Sequence, residues 1–263
     1  MTHAIVIIPT YKERENIQAI IDAVFALPID FHVLIVDDSS PDGTAEIVEN
    51  LQNVYNNNGV RRLHLLKRPG KQGLGTAYIA GFQYAIAKNY DYILEMDADF
   101  SHDPKDLVRL YNSCYKEGAD LSIGSRYATG VNVVNWPIGR VLISYFASTY
   151  VRMITTMPIK DTTAGFVCYR RKVLETIPLD KIKFIGYAFQ IEMKFLAWKY
   201  GFRMKEVPII FTDRTHGESK MSAGIFKEAF FGVLNMTVSS WFKKYIPTPA
   251  YKESPEFTEA LQR

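Results

Sequence analysis

Cysteine is nearly missing from this chain: among 263 residues it has only Cys114 and Cys168. They stand far apart and show no metal-ligand spacing, so neither a disulfide framework nor a zinc site is expected. Buried free thiols in a reducing compartment are the expectation instead. A charge excess is missing too. The 31 Lys and Arg against 28 Asp and Glu leave a net +3, and no basic run marks a groove for a polyanion, so no nucleic-acid partner is expected. No basic region followed by an apolar stretch and a small-residue cleavage site opens the chain, which excludes a signal peptide from the expectations. No stretch reaches the roughly 20 apolar residues that a spanning helix needs. The uncharged run from Ala229 to Phe242 stops short of it, which leaves docking on a membrane open but not crossing it. Internal repeats and linkers are absent as well, so one domain is expected. What is present, 48% hydrophobic and 22% charged residues, is the composition of a globular chain with a real core.

That core is organised around the stretch from Tyr90 to Pro104. Tyr92, Ile93, Leu94 and Met96 read as a buried strand that runs into Asp97-Ala98-Asp99. Two carboxylates one residue apart would both cost heavily if buried without a cation. A hard divalent ion with oxygen ligands removes that cost and could bridge to a diphosphate. Asp-X-Asp alone is a common turn pattern, so its surroundings decide. Ile5–Ile8, Val33–Val36 and Leu63–Leu66 are further apolar runs, alternating with helical patterns at 17–25, from 44 and at 76–88. This alternation predicts an α/β fold: one Rossmann-like domain with an open, mainly parallel sheet and helices on both faces. Ligands of such sheets sit beyond the strands' carboxyl ends, where Tyr11, Glu13, Asp38, Asp97 and Asp99 all fall. A nicotinamide-binding sheet is the obvious rival. Its glycine fingerprint fails here, since Gly73-Leu74-Gly75-Thr76-Ala77-Tyr78 has Tyr at the third glycine and follows the third strand.

The second half predicts a helix at 106–116, a strand at 120–124, a long helix Val141–Met157, a strand at 167–169, the helix Ala188–Lys199 and a strand Val207–Phe211. Arg140, Ser144, Ser148 and Arg152 recur every four residues, one polar stripe on the long helix. Such a stripe reads as the solvated side of an amphipathic helix; Arg140 and Ser144 could also grip a phosphate. The last helix, Ala223–Tyr245, is apolar nearly all round and ends in Trp241-Phe242-Lys243-Lys244, aromatics beside cations as at a bilayer interface. The expected division is a domain at 1–246, with 222–246 as an apolar interfacial helix, and a polar, mobile tail at 247–263.

Six motifs together make the sequence resemble glycosyltransferase family 2, and within it the polyprenyl-phosphate (dolichol-phosphate) mannose synthases. They are Ile8-Pro9-Thr10-Tyr11-Lys12-Glu13-Arg14-Glu15-Asn16, Val36-Asp37-Asp38-Ser39-Ser40-Pro41-Asp42-Gly43-Thr44, Met96-Asp97-Ala98-Asp99, Gly124-Ser125-Arg126-Tyr127, Asn135-Trp136-Pro137 with Arg140, and Gly217-Glu218-Ser219-Lys220. Each is weak alone; six in order, across about residues 4 to 225, are specific. The resemblance implies a GT-A fold, Mg²⁺ or Mn²⁺, and inverting transfer of mannose from GDP-mannose to a polyprenyl phosphate lipid. It implies that Pro9, Tyr11, Glu13, Val36, Asp38, Asp97, Ala98 and Asp99 bind the donor, with Asp97 and Asp99 also holding the metal. Arg126, Arg140 and Ser144 match acceptor-phosphate positions, and Arg214 and Lys220 match basic groups that close over the donor. Asp99, Arg126 and Arg140 are the expected catalytic set. Some relatives carry an amide at the position of Ser101, which leaves its place among the ligands open. Many relatives continue into spanning helices that this chain lacks, so peripheral attachment to the cytoplasmic face of a membrane is expected, with a separate membrane-anchoring partner as a further expectation.

Relatives that make polysaccharides carry an acidic pair near residue 188, for a general base. Here the region reads Gly186-Tyr187-Ala188-Phe189-Gln190-Ile191-Glu192 without one. A phosphate acceptor is already an anion and needs no base, which favours it over a hydroxyl. Two alternatives stay open at this point. One is a family 2 transferase using another donor, such as UDP-glucose, or a glycan hydroxyl acceptor. The other is a non-enzymatic membrane-surface protein on a decayed transferase sheet.

Overall fold

The computed structural model describes residues 3–56, 59–186, 188–213 and 223–246. In chain order the first half gives β1 (Ala4–Thr10), α1 (Ile17–Phe25), β2 (Phe31–Asp37), α2 (Thr44–Tyr55), β3 (Leu63–Lys67), α3 (Leu74–Ala87), β4 (Tyr92–Glu95) and α4 (Asp106–Tyr115). The second half gives β5 (Leu121–Ser125), β6 (Val133–Val134), α5 (Ile138–Thr155), β7 (Val167–Arg170), α6 (Arg171–Thr176), α7 (Ala188–Lys199), β8 (Met204–Pro208), β9 (Phe211–Thr212) and α8 (Ala223–Trp241).

Seven strands form one sheet in the order β3-β2-β1-β4-β7-β5-β8. β3, β2, β1 and β4 run parallel, and β8 runs parallel to β5. β7 alone is antiparallel to both its neighbours. β1 and β2 read as continuous apolar runs because both sheet faces are covered. Ile5 and Ile7 point into one cluster with Tyr78 and Phe82 of α3; Val6 and Ile8 point into the other with α1, α2 and α4. Ile5 through Ile8 are all fully buried, each side chain contributing about 1.5–3 kcal/mol. At Gly81 an added Cβ would lie 2.6 Å from Ile7 Cγ2, so α3 can approach β1 only through a glycine.

β1 sits between β2 and β4, so three consecutive strand ends meet at one edge of the sheet. That edge positions the site.

Three expectations are corrected. The segment read as one strand at 207–211 is two, β8 in the main sheet and β9 paired with β6. β8 stops where its partner β5 ends at Ser125: the Ile209 N–H still donates to Ser125 O at 3.0 Å, and beyond it the chain leaves the main sheet for β6. The last helix ends at Trp241, short of Tyr245. The third correction concerns α5. Its polar stripe is not solvated along its length: Arg152 is exposed, but Ser148 is buried and Arg140 and Ser144 are half-buried, whereas Ile138, Leu142, Ile143, Phe146 and Met153 are exposed. Arg214, Lys220 and the tail 247–263 lie outside the described residues.

Candidate active site

Beyond the carboxyl ends of β4 and β5 lies a cleft of about 890 Å³, lined by Asp97, Asp99, Ser101, His102, Arg126, Arg140, Ser144 and a wall of apolar side chains from α5, α7 and α8. Two groups placed far apart in sequence, the carboxylates Asp97 and Asp99 and the set Arg126, Arg140 and Ser144, thus face one space. Among the described residues, Asp97 and Asp99 are the only acidic side chains lining it.

The Asp97 side chain is 39% exposed, and Tyr78 donates its hydroxyl to Asp97 Oδ1 at 3.5 Å. Asp99 Oδ1 accepts the Ser101 N–H at 3.0 Å across a turn in which Phe100 has φ +58°. A left-handed aromatic residue is unfavourable by about 1–2 kcal/mol. Lys12 and Ser39, in the turns after β1 and β2, also have positive φ. All three strand ends at this edge therefore carry a non-glycine residue in the left-handed region, a kind of strain that clusters at functional sites. His102 stacks on Phe166 at 4.6 Å and its Nδ1 accepts the Asp97 N–H at 3.4 Å. Burial pushes its pKa down to about 4 against the raising effect of Asp99. The neutral ring then carries its proton on Nε2, which leaves no lone pair for a general base.

At the ends of β1 and β2, outside the lining of this cleft, Pro9 pairs with Val36 in the β1–β2 ladder. The Tyr11 ring lies 5.7 and 5.2 Å from the Lys12 and Lys71 ammonium groups. Glu13 Oε2 accepts from Asn16 at 3.1 Å. Asp38 is held in a bidentate pair by Arg68, Nε to Oδ1 at 2.6 Å and Nη2 to Oδ2 at 2.8 Å. Arg68 was not singled out in the sequence, yet it stands one residue past β3, where the strand-end rule points. Asp37 is buried and accepts from Thr10 and Ser40, so both adjacent aspartates are buried, Asp37 on hydroxyl donors and Asp38 on a guanidinium.

Just past β5, Arg126 is buried and donates from Nε and Nη2 to the two oxygens of Asp161 at 2.7 and 2.6 Å, and from Nη2 to Thr163 Oγ1 at 2.8 Å. Arg140 pairs with Asp213 at 2.8 Å and lies 4.2 Å from the centroid of the Trp136 ring, which Arg126 approaches to 5.7 Å. Ser144 Oγ accepts the Tyr127 hydroxyl at 2.7 Å, so Ser144 retains its own donor. Asp161 and Asp213 had no expected role: nothing local in sequence ties residue 126 to 161 or 140 to 213.

Asp97 and Asp99 fit a hard divalent ion: oxygen donors, adjacent, open to the cleft. Among the described residues no cluster of three or more His, Cys, Asp or Glu could hold a metal. Water and ligand oxygens would complete the coordination, as is usual for Mg²⁺ at a phosphate site.

The chain matches the family model described as glycosyl transferase family 2 over residues 5–178. It is 45% identical over 229 residues to a polyprenol monophosphomannose synthase of Mycolicibacterium smegmatis, across 87% of this chain and 84% of that one. It is 43% identical over 231 residues to an undecaprenyl-phosphate mannosyltransferase of Micrococcus luteus, across 88% and 91%. Similar solved structures include glucosyl-3-phosphoglycerate synthase from Mycobacterium tuberculosis with Mn²⁺ and UDP, at TM-score 0.63 and 16% identity over 94% of this chain and 82% of that one. A mannosyltransferase from Pyrobaculum calidifontis in complex with GDP-Man and Mn²⁺ gives 0.56 and 16% over 95% and 67%. At such identities these structures speak for the fold alone.

Proposed function

The chain belongs to glycosyl transferase family 2 and has a GT-A fold, and from that premise we propose that it transfers mannose from GDP-mannose to a polyprenyl phosphate with inversion. The observation that carries this reading is the shared cleft: Arg126, Arg140 and Ser144 face the same space as Asp97 and Asp99, with no third carboxylate lining it among the described residues. A hydroxyl acceptor would need a base, and neither the carboxylates nor neutral His102 is placed as one. A phosphate acceptor needs positioning by cations and donors instead. Arg126 has Nη1 left over once Asp161 and Thr163 are satisfied, Ser144 has its hydroxyl, and Arg140 lies beside them.

In this reading an acceptor phosphate oxygen attacks the anomeric carbon from the face opposite the diphosphate. A carbon–oxygen bond to the lipid phosphate forms as the bond to the leaving GDP breaks, and no proton moves in that step. Pro9, Tyr11, Glu13, Val36 and Asp38 seat the nucleoside, with Ala98 beside it; for Arg214 and Lys220, outside the described residues, the donor role rests on the resemblance alone. Asp97 and Asp99 would hold Mg²⁺ or Mn²⁺, which when bound neutralises charge on the diphosphate. The names of the two curated relatives support the acceptor and the sugar. The donor is tested directly by a panel: purified protein, polyprenyl phosphate, and GDP-mannose, GDP-glucose, UDP-glucose or UDP-GlcNAc. Mannosyl lipid from GDP-mannose alone is expected; equal transfer from a UDP-sugar would overturn the donor, and transfer only to a glycan hydroxyl the acceptor.

A lipid acceptor requires contact with a bilayer, and no helix among the described residues is long and apolar enough to cross one. Exposed Leu142, Ile143 and Phe146 of α5 and exposed Phe230 of α8 line the cleft, and Phe231, Trp241 and Phe242, of α8 and its end, are exposed as well. α5 and α8 touch through Tyr150 stacked on Phe230 at 4.4 Å. Clustered exposed apolar side chains of this kind mark contact surfaces. Lys243 and Lys244, both exposed, would add roughly 1 kcal/mol each on an anionic membrane. The enzyme is thus read as peripheral, on the cytoplasmic face, with or without a separate anchoring partner. In flotation with anionic vesicles at low salt the protein should rise with the lipid, less so for Lys243→Glu/Lys244→Glu and at high salt. Recovery of the native protein in the soluble fraction would refute the docking.

A further inference from the structure

Beneath the cleft floor a lysine is buried. Lys194 of α7 has no exposed surface, and its ammonium donates to Ala164 O at 2.5 Å, Gln190 O at 2.9 Å and Gln190 Oε1 at 3.4 Å. Those contacts use all three donors of the group. Gln190 Nε2 in turn donates to Glu95 Oε2 at 2.9 Å, while Glu95 Oε1, also buried, has no hydrogen-bond partner. The ammonium is therefore aimed at neutral oxygens, with the nearest carboxylate reached only through an amide. Simple charge compensation would favour direct contact of Lys194 with Glu95. Burying a cation in this way is unfavourable unless its contacts serve something else.

The contact that stands out is Ala164 O. Residues 161–165 lie between α5 and β7 and belong to no helix or strand, so no ladder of their own holds them. From the cleft side they carry Arg126, through Asp161 and Thr163. From the interior they are held by Lys194. Thr163, Ala164 and Gly165 themselves line the cleft. We propose that Lys194 is a positioning residue for the transfer: by fixing the Ala164 carbonyl it sets the segment that places the Arg126 guanidinium against the acceptor phosphate. This rests on the reading of Arg126 as an acceptor-binding group. The nucleotide side, at the ends of β1 and β2, does not depend on the segment.

A bland role, neutralising Glu95, makes a different forecast for one pair of variants. Lys194→Met leaves Glu95 without its cation and should lower Tm; Lys194→Met/Glu95→Gln removes both charges and should regain most of it. Under the proposal the double variant remains defective where it matters. Losing one charge-assisted contact corresponds to about 10-fold or more, so amide exchange of residues 161–166 should rise at least ~10-fold in both variants. KM for polyprenyl phosphate should rise by a similar factor, with KM for GDP-mannose changed less than ~3-fold. If the double variant regains native exchange and acceptor KM along with its Tm, Lys194 serves only Glu95 and the proposal fails. Unchanged exchange in Lys194→Met would refute it equally. A native protein that transfers to no polyprenyl phosphate would overturn the functional reading instead, and the exchange measurement would still decide the strut.

Discussion

Asp99→Asn is expected to lower turnover by at least ~10²-fold, the scale on which loss of a single electrostatic stabiliser acts. The asparagine retains an Oδ1 that can accept the Ser101 N–H, now seen at 3.0 Å, so the turn around left-handed Phe100 should survive and Tm should stay near native. Asp99→Ala removes the turn acceptor as well and should lose a further increment, with some stability. The asparagine variant therefore separates charge from scaffold. The same dependence should appear without mutation: excess EDTA should abolish transfer, and Mg²⁺ or Mn²⁺ should restore it. Calorimetric titration with GDP should show tight binding only in the presence of the divalent ion, and weak binding to Asp99→Asn under either condition. Full activity in EDTA, or near-native turnover of Asp99→Asn, would refute the metal assignment.

The edge where the ends of β2, β1 and β4 meet was legible because it follows from local chemistry. Apolar runs predict the strands, a parallel sheet with both faces covered aligns their ends, and polar residues just past those ends must meet. That logic places Tyr11, Glu13, Asp38, Asp97 and Asp99 together. Applied to the third strand it also reaches Arg68, whose pairing with Asp38 a motif reading passes over. The acceptor side was legible only in part. Arg126, Arg140 and Ser144 can be named from the resemblance, but their partners cannot: Asp161 and Asp213 lie 35 and 73 positions away in the chain, and periodicity reports neighbours within a few turns.

The polar stripe on α5 misled for a different reason. Reading a stripe as the solvated side assumes that water is the solvent on every open face. On α5 Ser148 is turned into the fold, against Thr163 at 3.2 Å, while Leu142, Ile143 and Phe146 are exposed and line the cleft beside Arg140 and Ser144. The period was right and the polarity of the surroundings was not. A helix that forms the wall of an apolar cleft inverts the usual assignment, and sequence alone does not say which helix stands there.

Arg126→Met is expected to cost more stability than any single change at the cleft rim, because it strands the fully buried Asp161. Removing one partner of a buried ion pair costs about 3–5 kcal/mol, which for a chain of this size is a fall in Tm of order 10 °C. The pH dependence identifies the cause. In the native protein burial would raise the Asp161 pKa, but the Arg126 guanidinium and its hydrogen bonds hold it below the ordinary 3.8. A depressed carboxyl pKa stabilises the fold fully above the unfolded value and is lost only as pH falls through the lower folded one. Native stability should thus be insensitive to this pair from about pH 8 to about pH 4. Without the cation, burial dominates and raises Asp161, which reverses the sign: stability then declines as pH rises, because the unfolded chain ionises first. The gap in Tm between native and variant should therefore narrow steadily as pH is lowered from about 8 to about 4. Asp161→Asn in the Arg126→Met background removes the titrating group and should flatten that slope while leaving acceptor binding impaired. A gap that stays constant across the range would mean that lost packing, not a stranded carboxylate, accounts for the instability.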